Sequence, residues 1–166
     1  MKPIILIGRA DCWREDFEGV KNLIQDFDVM SVGLDCVYAD DIKYFVTYHP
    51  QDIVEYIKRR KEVGVNLDFK VISHIRRAGV DIIEEHKAPT GSSSLLGTAA
   101  AIRLGYTKII LCGCPLEGTR EGNFQPYSHF QKGWERRKNE IDGYVKSMSG
   151  WTKQFLGEPT EEWLCK

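Results

Sequence analysis

Ser92-Ser93-Ser94-Leu95-Leu96-Gly97-Thr98-Ala99-Ala100-Ala101-Ile102-Arg103-Leu104-Gly105-Tyr106-Thr107-Lys108-Ile109-Ile110-Leu111-Cys112-Gly113 is the stretch whose reading decides the fold. It begins as a serine-rich helix start and continues as a helix of small residues able to pack closely. A glycine stop follows, and then a wholly apolar strand that itself ends in glycine. Pro89-Thr90-Gly91 extends the polar loop ahead of the helix. Backbone N–H groups at the positive end of a helix, flanked by several hydroxyls, suit a phosphate or a carboxylate. One serine suffices to cap a helix, so three after Thr-Gly leave room for a ligand as well as a cap.

The same alternation continues in both directions. Ile4-Ile5-Leu6-Ile7-Gly8 reads as a strand buried on both faces, and Trp13, Phe17, Val20, Leu23 and Ile24 as a helix running to about residue 26. Strands follow at 27–33, 44–48 and 69–73, with a shorter one at 80–84 and helices at 52–62 and 92–104. Beyond the strand at 108–112 come a polar loop from Pro115 to Tyr127, a charged helix at 128–140, a strand at 144–148 and a helix at 151–156. Trp163 is expected to dock the tail. Alternating strands and helices need crossover connections, which make a sheet parallel and cover both its faces. The expected fold is a single α/β domain over residues 1–166, three-layered and Rossmann-like, with a mostly parallel sheet of about five to seven strands.

Bulk properties exclude several classes. The chain has 166 residues, 42% hydrophobic and 28% charged, with a formal net charge of −1. That is globular composition, without the basic excess that drives non-specific nucleic-acid binding. Cysteines at 12, 36, 112, 114 and 165 are odd in number and lack C-x-x-C spacing. They read as reduced thiols, not as a disulfide framework or a zinc site. The apolar run after Met1-Lys2-Pro3 is too short for a signal peptide or a membrane span, so a cytoplasmic protein is expected. Homo-oligomerisation stays open.

In such sheets the ligand sits beyond the carboxyl ends of the strands, near the point where the strand order reverses. That rule selects Gly8, Arg9, Ala10 and Asp11 after the first strand, Gly33, Leu34 and Asp35 after the second, His49 and Pro50 after the third, Ser73 and His74 after the fourth, Gly113, Cys114 and Pro115 after the late strand, and Ser147 to Ser149 at the last. Thr90, Gly91, Ser92, Ser93 and Ser94 join them if their helix starts on the same edge, and Tyr127 closes the following loop. Gly8 either approaches a ligand or permits a turn; Arg9 either clamps a phosphate or pairs with a nearby acid. His49 lines the cleft or caps the turn beside Pro50. His129 follows a loop suited to act as a lid, and is either a general base or a solvated histidine. Trp134-Glu135-Arg136-Arg137-Lys138 reads as a solvated helix face. Neither G-x-G-x-x-G nor a Walker A sequence is present, and no D-x-D setting implies a metal.

The Thr90-Gly91-Ser92-Ser93 loop, the alanine-rich helix, Leu104-Gly105-Tyr106 and the strand to Gly113 together resemble the core of the bacterial sialyltransferases of glycosyltransferase family 42. They also resemble the related motility-accessory-factor proteins. The chain is similar as well to small phage and prophage proteins, in which the ending Val145-Lys146-Ser147-Met148-Ser149-Gly150-Trp151-Thr152 is characteristic. The resemblance implies that Gly8, Thr90, Gly91, Ser92 and Ser93 bind a cytidine nucleotide and that His129 serves as base. The expected ligand is a nucleotide or nucleotide-sugar, and no metal or other cofactor is expected, because backbone amides, hydroxyls and Arg9 offset the leaving-group charge. Gly8-Arg9-Ala10-Asp11-Cys12 stands where the family has Gly-x-Gly-Pro-Ser, and Cys114-Pro115 where it has an acidic residue. A glycosyltransferase-like enzyme and a non-catalytic nucleotide-binding or phage accessory protein are both open readings, as is an assembly protein on an old nucleotide-binding fold.

Overall fold

Each apolar run of the sequence becomes a strand: β1 (Ile4–Ile7), β2 (Asp28–Val32), β3 (Tyr44–Val46), β4 (Lys70–Ser73), β5 (Ile82–Ile83), β6 (Ile109–Cys112) and β7 (Val145–Ser147). The structure, a computed structural model, describes residues 2–34, 37–85, 90, 92–117 and 127–165. All strand pairs are parallel, and the order across the sheet is β5-β4-β3-β2-β1-β6-β7. The chain therefore steps outward from β1 to β5, then crosses back over to β6 and β7.

That reversal sorts the helices. A right-handed crossover places its helix on one face when the chain steps one way and on the opposite face when it steps back. Accordingly α1 (Trp13–Lys21) and α2 (Ile53–Val63) share one core with Ile5, Ile7, Val29, Phe45, Val71 and Ile110. On the other face, α3 (Ser93–Arg103), α4 (Ser128–Arg136), α5 (Lys138–Ile141) and α6 (Gly150–Leu156) cover Ile4, Leu6, Met30, Val46 and Leu111. Successive residues of β1 thus enter opposite cores, which is why the strand is apolar throughout. The last helix, α7 (Glu161–Cys165), docks Trp163 as expected: its indole N–H donates to the Gly143 carbonyl at 3.0 Å, beneath the Lys108 ammonium. Among the described residues no helix is long and apolar enough to cross a membrane.

Two expectations need correction. The first helix ends at Lys21, short of residue 26, and the charged helix at 128–140 is broken at Arg137 into α4 and α5. Trp134, assigned from its charged neighbours to a solvated face, is fully buried. Tyr127, Phe130 and Trp134 share one side of α4 at helical spacing and turn it toward the sheet, leaving Glu135 and Arg136 outside.

Gly97 brings α3 down onto the sheet. A Cβ there would lie 2.9 Å from Leu6 Cδ1 and 3.2 Å from Met30 Sδ. Gly97→Val is expected to destabilise the fold by about 1–3 kcal/mol through overpacking, read as a lower urea midpoint with an unchanged slope.

At the opposite edge of the sheet, Asp28 opens β2 as a buried carboxylate. It accepts from Lys43 Nζ at 2.7 Å and from the Tyr106 hydroxyl, and pairs with Lys2 Nζ at 3.0 Å. Burial pushes its pKa up, but the hydrogen bonds from Lys43, Tyr106 and Lys2 outweigh burial and hold it below the usual carboxylate range. A depressed folded-state pKa means that the stabilisation is complete above the unfolded value of about 4 and disappears as pH falls through the folded value. Urea unfolding between pH 5 and pH 2 should show a steeper loss of stability in the wild type than in Asp28→Asn.

Candidate functional site

A cleft of about 410 Å³ opens at the carboxyl edge of the sheet, straddling the β1–β6 boundary where the strand order reverses. The turn after β1 contributes Gly8, Arg9 and Ala10, and the turn after β2 contributes Val32, Gly33 and Leu34. From β3 and the 3₁₀ turn beyond it come Thr47, His49 and Asp52. The first turn of α3 supplies Ser92, Ser93 and Ser94, the segment after β6 supplies Gly113 to Leu116, and α4 adds Tyr127 and Phe130.

Glycine is required at the floor. Gly8 N–H donates to the Cys112 carbonyl at 2.7 Å, and Ala10 N–H to the Gly113 carbonyl at 3.1 Å. A Cβ on Gly8 would fall 2.4 Å from both Cys114 Sγ and the Gly113 oxygen. One on Gly113, whose φ is +64°, would fall 2.4 Å from Trp13 Cβ. Gly8 is therefore explained by contact between the strand ends, and Gly113 by its left-handed φ and the approach of α1 at Trp13, before any ligand is considered.

Behind this floor lies an anchor that the sequence did not mark. Asp16, buried in the first turn of α1, accepts from Gly113 N–H at 2.8 Å and from the Ser149 hydroxyl at 2.7 Å. It ties α1, β6 and the turn before α6 together. Acidic residues are common in a first helical turn because they suit its dipole, so nothing in the sequence singles Asp16 out. The nearby thiols are not poised as nucleophiles. Burial and the Asp16 carboxylate raise the Cys12 pKa despite the contact with the Ser149 hydroxyl, and burial pushes Cys112 far up.

The serine turn proves fully employed. Ser92 caps α3 by accepting from Leu95 N–H at 3.4 Å, its hydroxyl lies 2.9 Å from that of Ser94, and Ser93 Oγ accepts from Tyr48 N–H at 3.4 Å. Each hydroxyl thus has a partner within the fold. By helix geometry the N–H groups of Ser93 and Ser94 have no intrahelical acceptor, and these residues line the cleft. The charged side chains lining the cleft are Arg9 and Asp52, and the exposed His49 lines it as well.

Of the residues selected from sequence, Gly8, Arg9, Gly33, His49, Ser92, Ser93, Ser94, Gly113, Pro115 and Tyr127 meet at the cleft. Asp11 is exposed ahead of α1 and does not line it. His129 is exposed and stands on the side of α4 opposite Tyr127, Phe130 and Trp134, facing away from the cleft. Thr90 packs instead against Gly133 of α4. Gly91 and the loop from 118 to 126 lie outside the described residues. Pro50, Ser73, His74 and Ser147 to Ser149, selected by the same rule, do not line the cleft, and Asp35 lies outside the described residues. Sequence reasoning missed Val32, Thr47, Asp52, Leu116 and Phe130; only Phe130 carried a signal, three residues after Tyr127 on a common helix face. Among the described residues, no group of three or more His, Cys, Asp or Glu is placed to hold a metal ion.

The chain matches no family model, no curated protein and no solved structure.

Asp16→Ala leaves the Gly113 N–H and the Ser149 hydroxyl without their carboxylate in a buried setting. It should cost about 2–3 kcal/mol of unfolding free energy, against about 1 kcal/mol for Ser149→Ala, both measured by urea denaturation.

Proposed function

We propose that this cleft binds a nucleotide or nucleotide-sugar, with its phosphates at the first turn of α3 and its base against the aromatic side of α4. The observation that carries the reading is the joining of three features in one cavity at the reversal of strand order. These are the N-terminal turn at Ser92–Ser94, Arg9 lining the same cavity, and the rings of Tyr127 and Phe130, whose centroids lie 6.3 Å apart. Helix N–H groups and an arginine suit phosphate oxygens, while aromatic rings suit a planar base. A volume of about 410 Å³ is that of a small-ligand pocket.

The resemblance to family 42 sialyltransferases points to the same ligand class and to transfer of a sugar. The outward position of His129 favours the alternative, a protein that holds a nucleotide without using His129 as base. Turnover separates the two: sugar transfer or hydrolysis of a nucleotide-sugar that is lost in His129→Ala supports an enzyme, and saturable binding without turnover supports a binding protein.

Calorimetric titration with nucleoside mono- and diphosphates tests the shared claim. Saturable binding is expected, weakened about tenfold in Arg9→Ala, equivalent to about 1.4 kcal/mol, and abolished in Ser93→Phe, whose ring fills the phosphate end. Unchanged affinity in Ser93→Phe would refute the assignment.

A further inference from the structure

We infer that Thr90 is a positioning residue which sets the aromatic wall of the cleft by seating α4, and that Gly133 is its socket; the inference rests on the nucleotide reading above for what the wall recognises. The polar loop ahead of α3 suggested that Thr90 contacts the ligand. Its side chain is instead turned away from the cleft and into α4. An ideal Cβ on Gly133 would lie 2.3 Å from Thr90 Oγ1 and 3.3 Å from both its Cβ and its Cγ2. In this χ1 rotamer Oγ1 takes the closest point, and in a second Cγ2 would; only the rotamer that turns Hβ inward would clear it. A side chain at residue 133 therefore forces either the threonine or the helix to shift.

The contact is close but not held by a hydrogen bond, since among the described residues Thr90 Oγ1 is buried without a partner. An unpaired buried hydroxyl opposes docking, so its retention is a matter of shape. On the same helix, Trp134 Nε1 and, just past its end, Arg137 Nε are likewise buried without hydrogen-bond partners. The helix is therefore seated by steric fit and apolar packing rather than by a polar network. A polar tether on the cleft side is long-armed: Gln131 Nε2 donates at 2.9 Å to the carbonyl of Leu116, which lines the cleft and itself adopts φ +50°.

Gly133 lies one turn from Phe130 and two turns from Tyr127. A shift of α4 at Gly133 is transmitted through a rigid helix to both rings, while the serine turn of α3, held by its own hydrogen bonds, stays in place. The Thr90–Gly133 seat thus governs recognition of the base and leaves recognition of phosphate alone.

The test is a swap of volume. Affinities for AMP, CMP, GMP and UMP, and separately for pyrophosphate, are measured by calorimetry for the wild type, Gly133→Ala, Thr90→Ala and the double variant. Hydrogen exchange of the α4 amides is followed in the same four proteins without ligand. Gly133→Ala is expected to weaken the tightest-binding nucleoside monophosphate at least tenfold, to alter pyrophosphate binding less than twofold, and to speed α4 exchange. Thr90→Ala introduced into Gly133→Ala vacates the clash and is expected to restore nucleotide affinity to within threefold and α4 exchange to near the wild-type rate. Equal loss of nucleotide and pyrophosphate binding, or failure of the second substitution to restore either readout, would overturn the inference. If the wild type binds none of the four nucleotides, the nucleotide reading fails, and the seat itself stands or falls on the exchange rates alone.

Discussion

The structure depends on two strand ends that touch through backbone. Gly8 after β1 lies so close to Gly113 and Cys114 after β6 that it tolerates no Cβ, Gly113 is crowded in turn by Trp13 of α1, and the hydrogen bonds from Gly8 and Ala10 extend the β1–β6 ladder one step beyond the strands. In many parallel sheets the gap where the strand order reverses is left open to a ligand. Here its base is closed by the protein itself, and the cleft sits on top of that closure. Asp16 locks the arrangement from behind, so the floor is fixed by α1, β6 and the turn before α6 at once.

From this floor rise two unlike walls. The α3 wall is bonded into the sheet: Ser92 caps its own helix, Ser94 pairs with Ser92, Ser93 receives the Tyr48 N–H, and Gly97 lies against Leu6 and Met30. The α4 wall carries the rings and leans on Thr90 through shape. Such a division suits a ligand with one invariant polar end and one variable planar end. It also means that substitutions in the two walls have separable consequences.

Much of the fold was legible because parallel strands buried on both faces leave an unmistakable trace. Ile4–Ile7 and Ile109–Cys112 are apolar without interruption, and each ends in the glycine that the β1–β6 contact demands. The carboxyl-edge rule then placed most of the cleft without any motif. What stayed hidden is what depends on contacts distant in sequence. Asp16 meets Gly113 across 97 positions, and an acid in a first helical turn looks ordinary. Trp134 is one apolar residue within a charged run. Arg60, inside Lys58-Arg59-Arg60-Lys61, reads as surface, yet it is fully buried and donates to the carbonyls of Val37, Ala39, Asp40 and Asn66. Such residues are recognised only once the chain has been folded around them. Thr90 shows the converse: its neighbours implied a ligand contact, and helix packing claimed it first.

On the reading proposed here, a phosphate-bearing ligand lies between the serine turn and the aromatic wall. Backbone amide NMR of the isotopically labelled protein during titration with a nucleoside diphosphate probes that placement residue by residue. Saturable shift changes are expected, concentrated at residues 8–10, 92–95, 113–116 and 127–130, with those of Ser93 and Ser94 among the largest. Shifts that spare the α3 turn, or that cluster at the amino edge around Asp28, would contradict it.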